Sequence, residues 1–179
     1  MKIIQLLRNL SYGDAIGNDV LAIKNAISKM GYLTEIYAEF IDARLPKGTA
    51  FPVNRLITVE PNDVIIYHLS TGTDLNYTFA NLKCRKIVRY HNITPPEFFK
   101  GYSYEAEQSC MEGLKAAKAI AKKVDYCLAV SEFNKKDLID MGYEQKIDVL
   151  PILIPFSDYD KLPDPELIKK YSSIGIFFY

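Results

Sequence analysis

An excess of charge of either sign is the first thing this sequence lacks. Twenty-two basic residues balance 22 acidic ones over 179 positions, so no net field draws the chain toward nucleic acid. A small or neutral partner is the expectation that remains. Cysteine is scarce as well. Cys84, Cys110 and Cys127 are odd in number, widely spaced and form no C-x-x-C pair, which argues against a zinc site. Their apolar neighbours read as surroundings for buried free thiols, a usage that fits a reducing cytoplasm. No stretch approaches the roughly 20 apolar residues of a spanning helix, and the opening Met1–Arg8 is too short an apolar run for a signal peptide. The expected location is therefore cytoplasmic, with at most peripheral contact at the inner face of the membrane. Tandem repeats and low-complexity tracts are also lacking.

What is present is alternation. Lys2–Leu7 is a nearly continuous apolar run, the signature of a strand buried on both faces of a parallel sheet. Ile16, Val20, Ile23, Ile27 and Met30 then recur at helical spacing, and Gly31 is placed to end that helix. Strands are expected at Leu33–Ala38, Val64–His68, Lys86–His91, Asp125–Val130 and Ile147–Leu150. Helices are expected at Asp74–Leu82, Tyr104–Val124 and Glu132–Met141. In the long helix, Met111, Leu114, Ala117, Ala121 and Val124 share a face. Residues Phe40–Asn62, punctuated by Pro46, Gly48, Pro52 and Pro61, read as irregular, as does the segment spaced by Pro151, Pro155, Pro163 and Pro165. Strands alternating with helices imply an α/β fold: a three-layer, Rossmann-like parallel sheet with helices on both faces. In such sheets ligands bind beyond the carboxyl ends of the strands.

Four strand ends carry unusual residues. Gly13-Asp14-Ala15-Ile16-Gly17 runs from a loop into a helix, where free N–H groups favour a phosphate, although a tight turn with Asp14 as N-cap explains the same residues. The chain's only two histidines, His68 and His91, both close strands ending in Tyr-His. Each is followed by hydroxyl-bearing loops, and a site is the better reading of the pair. Two histidines without a third ligand argue against zinc. After His91 the loop continues through Asn92 and Thr94 to Phe98 and Phe99, aromatics that either stack on a sugar ring or anchor the loop to the core. Ser131 caps the helix that follows its strand, leaving Glu132 at the exposed helix start, where a substrate could make contact.

These segments, taken in order, resemble family 4 of the glycosyltransferases. Gly13–Asp19 is similar to the family's glycine-rich loop, and Asp63–His68 and Tyr90–Phe99 to its next two signature segments. Val130–Asn134 and Val149–Ile152 are similar to later ones. The resemblance covers Met1 to about Pro165. It implies one half, the N-terminal and acceptor-side half, of a GT-B enzyme, whose two facing Rossmann-like domains enclose the active site. It further implies retaining, metal-independent hexosyl transfer from a nucleotide sugar, with no cofactor, to a carbohydrate or lipid-linked acceptor, as in polysaccharide biosynthesis. On that resemblance His91 lies beside the transferred sugar. Gly13, Asp14, Gly17, His68, Asn92, Thr94, Ser131 and Glu132 fall in the substrate-binding segments.

The resemblance divides the chain into a Rossmann-like domain over 1–165 and, over 166–179, the start of a linker or second domain. Ile174–Tyr179 reads as that domain's opening strand, with the nucleotide-sugar site beyond it absent. The isolated chain is accordingly expected to be inactive, and its uncovered cleft face to favour a homodimer. Two rivals stay open: a non-catalytic module that holds a sugar or partner, and another Rossmann-type nucleotide binder.

Overall fold

The computed structural model describes residues 1–56, 58–154, 156, 160 and 162–172. The elements follow the chain as β1 (Lys2–Leu10), α1 (Ala15–Lys29), β2 (Leu33–Ile41), β3 (Phe51–Pro52), β4 (Val64–Leu69), α2 (Asp74–Ala80), β5 (Arg85–Tyr90), α3 (Tyr104–Ile120), β6 (Tyr126–Ala129), α4 (Glu132–Asp140), β7 (Ile147–Val149) and α5 (Pro165–Tyr171). Short 3-10 turns occupy Val53–Arg55, Pro96–Phe99 and Ala121–Lys123.

The seven strands among the described residues pair in parallel in the order β3-β2-β1-β4-β5-β6-β7. The chain builds outward from β1 through β2 to β3, then returns to β1's other side and builds the opposite way. The sheet therefore has its topological switch between β1 and β4.

Alternate strand residues face opposite layers. On one face Leu7, Ile36, Ala38 and Ile66 pack against Val20, Ile23 and Ile27 of α1. On the other, Ile4, Leu6, Ile65, Tyr67, Val88 and Cys127 pack against Phe79 of α2, Ala117 and Ile120 of α3, and Leu138 of α4. This is the three-layer α/β arrangement the sequence predicts.

Several boundaries differ, each for a physical reason. β1 and β2 run on past the expected Leu7 and Ala38, because Asn9 pairs with Phe40 and Leu10 with Ile41; ladder bonds carry the strands through the polar Arg8 and Asn9. Within the stretch expected to be irregular, Phe51 and Pro52 pair with Tyr37 and Ala38 as an edge strand. Proline is tolerated at such an edge.

Met111, expected on one face with Leu114, Ala117, Ala121 and Val124, is 47 % exposed. The buried face of α3 is centred on Gly113, Ala116, Ala117 and Ile120, of which the first three are small enough to let the neighbouring backbone come close. Cys127 is buried, whereas Cys84 and Cys110 are half-buried. α5 was not legible among the prolines. Asp164 caps it, its Oδ1 accepting from the Glu166 amide at 2.9 Å, and Pro165 takes the first helical position, which needs no N–H. The strand expected over Ile174–Tyr179 lies outside the described residues. No helix among the described residues is long and apolar enough to cross a membrane.

Candidate functional site

The polar residues of the sheet interior collect beside the topological switch, on the face covered by α1. Gln5 sits on β1, His68 on β4 and Arg89 on β5, directly beside His68 in the register. All three are buried, as is Asp19 in the first turns of α1. His91 is the first residue past β5, yet its amide still donates to the Leu69 carbonyl at 3.0 Å. The ladder thus fixes its backbone although the strand has ended.

Charge in this cluster is balanced by one buried pair. Arg89 donates from Nε to Asp19 Oδ2 and from Nη2 to Oδ1, the latter at 2.9 Å. Both side chains are fully buried. Arg89 also donates to the carbonyls of Leu150 at 3.1 Å and Pro151 at 3.2 Å, and the Leu153 amide donates to Asp19 Oδ1 at 2.9 Å. The pair therefore staples the segment after β7 to the start of α1. Charge-assisted, bidentate geometry of this kind is what lets a buried pair offset its desolvation.

The two imidazoles stack with ring centroids 5.1 Å apart. His68 Nδ1 meets His91 Nε2 at 2.9 Å, and His68 Nε2 meets Gln5 Oε1 at 3.0 Å. Burial, followed by the charges of His91 and Arg89, holds His68 well below the usual histidine range. Burial and then Arg89 hold His91 down to about 4, against an opposing pull from Asp19, whose Oδ2 lies 3.9 Å from His91 Nε2. Both rings are therefore neutral near pH 7. His91 Nδ1 is buried and has no hydrogen-bond partner among the described residues.

Asp19, His68 and His91 bring three potential metal-ligand atoms within 4.8 Å of one another. Apart from His91 Nδ1, the ligating atoms of these three residues are already engaged. Both Asp19 oxygens accept from Arg89, a fixed cation that would repel a metal, and the histidine nitrogens share a proton with each other.

The remaining candidate residues take up three positions. Asp14 caps α1, accepting from the Gly17 amide. A Cβ on Gly17 would fall 2.3 Å from the Ser11 carbonyl, so the loop needs glycine there for its own packing. Gly13, at φ 77°, makes the turn. Ser131 caps α4, accepting from the Asn134 amide at 3.2 Å, while Glu132 is exposed beside it. Asn92, at φ 78°, is the one non-glycine residue with positive φ among those described, and it swings the chain sharply away from His91. Thr94 is exposed on the loop beyond. His68 has no free ring nitrogen and can act on a ligand only through His91.

Asn92 also borders a 510 Å³ cavity lined by Pro95, Pro96, Phe98, Leu114, Phe133 and Met141, with Glu97, Asp137, Asp140 and Lys118 at its polar positions. Phe98 and Phe133 are 69 % and 68 % exposed, so Phe98 lines a pocket rather than anchoring its loop; Phe99 is half-buried.

Gln5, Asp19 and Arg89 are the members the sequence alone did not single out. Their signal was there: Gln5 interrupts Ile3-Ile4-Gln5-Leu6-Leu7, and Arg89 interrupts Ile87-Val88-Arg89-Tyr90. A polar residue inside a strand buried on both faces must find a buried partner.

No protein-family model matches the sequence, and no curated protein does. Solved structures do match the fold. The chain superposes on sucrose-phosphate synthase from Thermosynechococcus elongatus with a TM-score of 0.61 at 12 % identity, covering 96 % of this chain and 53 % of that one. It superposes on a trehalose-6-phosphate synthase from E. coli bound with UDP-2-fluoro glucose with a TM-score of 0.54 at 11 % identity, covering 96 % and 54 %. Both are GT-B glycosyltransferases. The chain spans about half the length of each and has the Rossmann-like fold found in GT-B glycosyltransferases.

Proposed function

We propose that this domain is the acceptor-side half of a GT-B glycosyltransferase and works opposite a second domain that binds the nucleotide sugar. The observation that carries this reading is the polar cluster around His91. It sits at the topological switch of a sheet whose fold matches GT-B enzymes, where open α/β sheets bind ligands. The motif resemblance to family 4 adds retention of anomeric configuration and a hexosyl donor. The ligating atoms of Asp19 and His68, already bonded to Arg89, Gln5 and His91, suit a reaction without a metal held between them.

In this reading His91 faces the transferred sugar. The cavity beside Asn92 takes the acceptor: aromatic faces of Phe98 and Phe133 suit the C–H faces of a carbohydrate, and Glu97, Asp137 and Asp140 suit its hydroxyls. The glycine-rich loop 13–17 and the loop carrying Asn92 and Thr94 border the same cleft, with Ser131 and Glu132 at the start of α4. The exposed aromatics Phe98, Tyr102 and Tyr104 offer a surface for a lipid-linked acceptor, a membrane face or a second copy of the chain.

The test has two arms. The isolated 179-residue chain should neither turn over nucleotide sugars nor bind UDP, GDP or NAD tightly, because leaving-group charge must be stabilised by groups the partner domain supplies. Joined to a nucleotide-sugar-binding domain it should transfer sugar. His91→Ala should then lower turnover by on the order of 10² to 10⁴, with acceptor affinity less affected. Micromolar binding of a nucleotide by the isolated chain would favour a Rossmann-type nucleotide binder instead. Sugar binding with no transfer by any joined form would favour a non-catalytic module.

A further inference from the structure

Hydrogen-bond donors and acceptors in the cluster around His91 are ordered from one end, at Gln5. Gln5 Nε2 donates to the Val20 carbonyl of α1 at 3.0 Å. A carbonyl only accepts, so the amide cannot be turned over, and Oε1 is left facing His68 Nε2 at 3.0 Å. An amide oxygen also only accepts, so His68 carries its proton on Nε2. Because buried His68 is neutral, its Nδ1 is bare, and that lone pair faces His91 Nε2 at 2.9 Å. His91 Nε2 is then the donor. Asp19 Oδ2, 3.9 Å from the same nitrogen, favours the same assignment. His91 is neutral in turn, which leaves its Nδ1 bare, buried and without a partner among the described residues.

We propose that Gln5 is a positioning residue that acts through His68 to lock His91 in the Nε2–H tautomer, so that His91 presents an unprotonated Nδ1 as an acceptor for a ligand hydroxyl. An orphaned buried acceptor calls for a donor from outside the chain, and a neutral hydroxyl supplies one. A phosphate oxygen does not, since a bare ring nitrogen repels it. The ligand half of this inference rests on the glycosyl-transfer reading and deepens it: His91 meets a sugar hydroxyl and not the leaving diphosphate. Which ring nitrogen carries the proton is fixed by the second nitrogen's partner, and here that control runs through two residues.

Long-range ¹H–¹⁵N correlation spectra of the histidine-labelled chain at pH 7 test the relay without any ligand. With two histidines in the sequence, both ring systems resolve. Both are expected neutral, each with a protonated Nε2 and a bare Nδ1. Gln5→Glu should draw a second proton onto His68, turn its Nδ1 into a donor and push His91 to the Nδ1–H form. Gln5→Leu should leave His91 a mixture of tautomers. Thermal melts run on the same samples identify any variant that fails to fold, and the wild-type spectrum still tests the His91 tautomer even then. A wild-type His91 protonated on Nδ1 would overturn the proposal, as would an unchanged His91 tautomer in folded forms of both variants. Either result leaves the transferase reading standing, whereas a failure of sugar transfer leaves the tautomer result standing.

Discussion

Burial holds His68 and His91 uncharged, and acid therefore destabilises the fold through them. In the unfolded chain each has an ordinary pKa near 6.5, whereas in the folded protein burial holds His68 well below that value and His91 down to about 4. A depressed histidine binds its proton in the unfolded state first. Its contribution is fully present above about pH 6.5 and is lost as pH falls toward 4. For His91 alone the loss is on the order of 3 kcal/mol across that window, and His68 adds in the same direction. The melting temperature should therefore fall steadily between pH 6.5 and 4.5, and the slope should flatten in His68→Asn or His91→Asn. A wild-type melting temperature that stays level through this window would show that the two rings are not held neutral. The two histidines themselves were legible in the sequence as matching strand ends. What was not legible is that they touch, because register between β4 and β5 is set by the whole sheet and not by either segment.

Two features of the elements decide how tightly the site is held. The first is the contact between the loop before α2 and the middle of α3. A Cβ on Gly113 would lie 2.9 Å from the Gly72 amide nitrogen and 3.1 Å from the Thr71 carbonyl carbon. Backbone cannot yield as a side-chain tip can. Gly113→Ala should thus destabilise by about 1–3 kcal/mol through overpacking, despite alanine's better helix propensity; a stabilised variant would mean α3 docks more loosely. The second is the Arg89 staple. Arg89→Met strands a buried Asp19 carboxylate and should cost about 3–5 kcal/mol, while the double change with Asp19→Leu should recover much of that loss. Urea denaturation of the three variants measures both numbers. Sequence periodicity located β5 and α1 but could not pair them, since Asp19 and Arg89 lie 70 positions apart. The charged residue inside an apolar strand announced that a partner existed without saying which. α5 was lost for a local reason: in Pro163-Asp164-Pro165 the prolines read as loop, although the second begins a helix.

At the scale of the whole molecule, alternation of apolar strands with amphipathic helices was enough to predict a parallel α/β sheet. The strand order, and with it the location of the switch, came only from the three-dimensional arrangement. That order places the loop after β1, His91 at the end of β5 and the aromatic cavity beside Asn92 along the carboxyl ends of the strands. On the proposed function, this edge binds a carbohydrate. Amide chemical-shift mapping of the ¹⁵N-labelled chain, titrated with a panel of mono- and disaccharides and their phosphates, measures that binding residue by residue. Saturable shifts should cluster on residues 11–17, 70–73, 91–98 and 131–134 and weaken in Phe98→Ala. A panel in which no saccharide moves these amides, or in which the shifts gather on the opposite edge of the sheet, would contradict it.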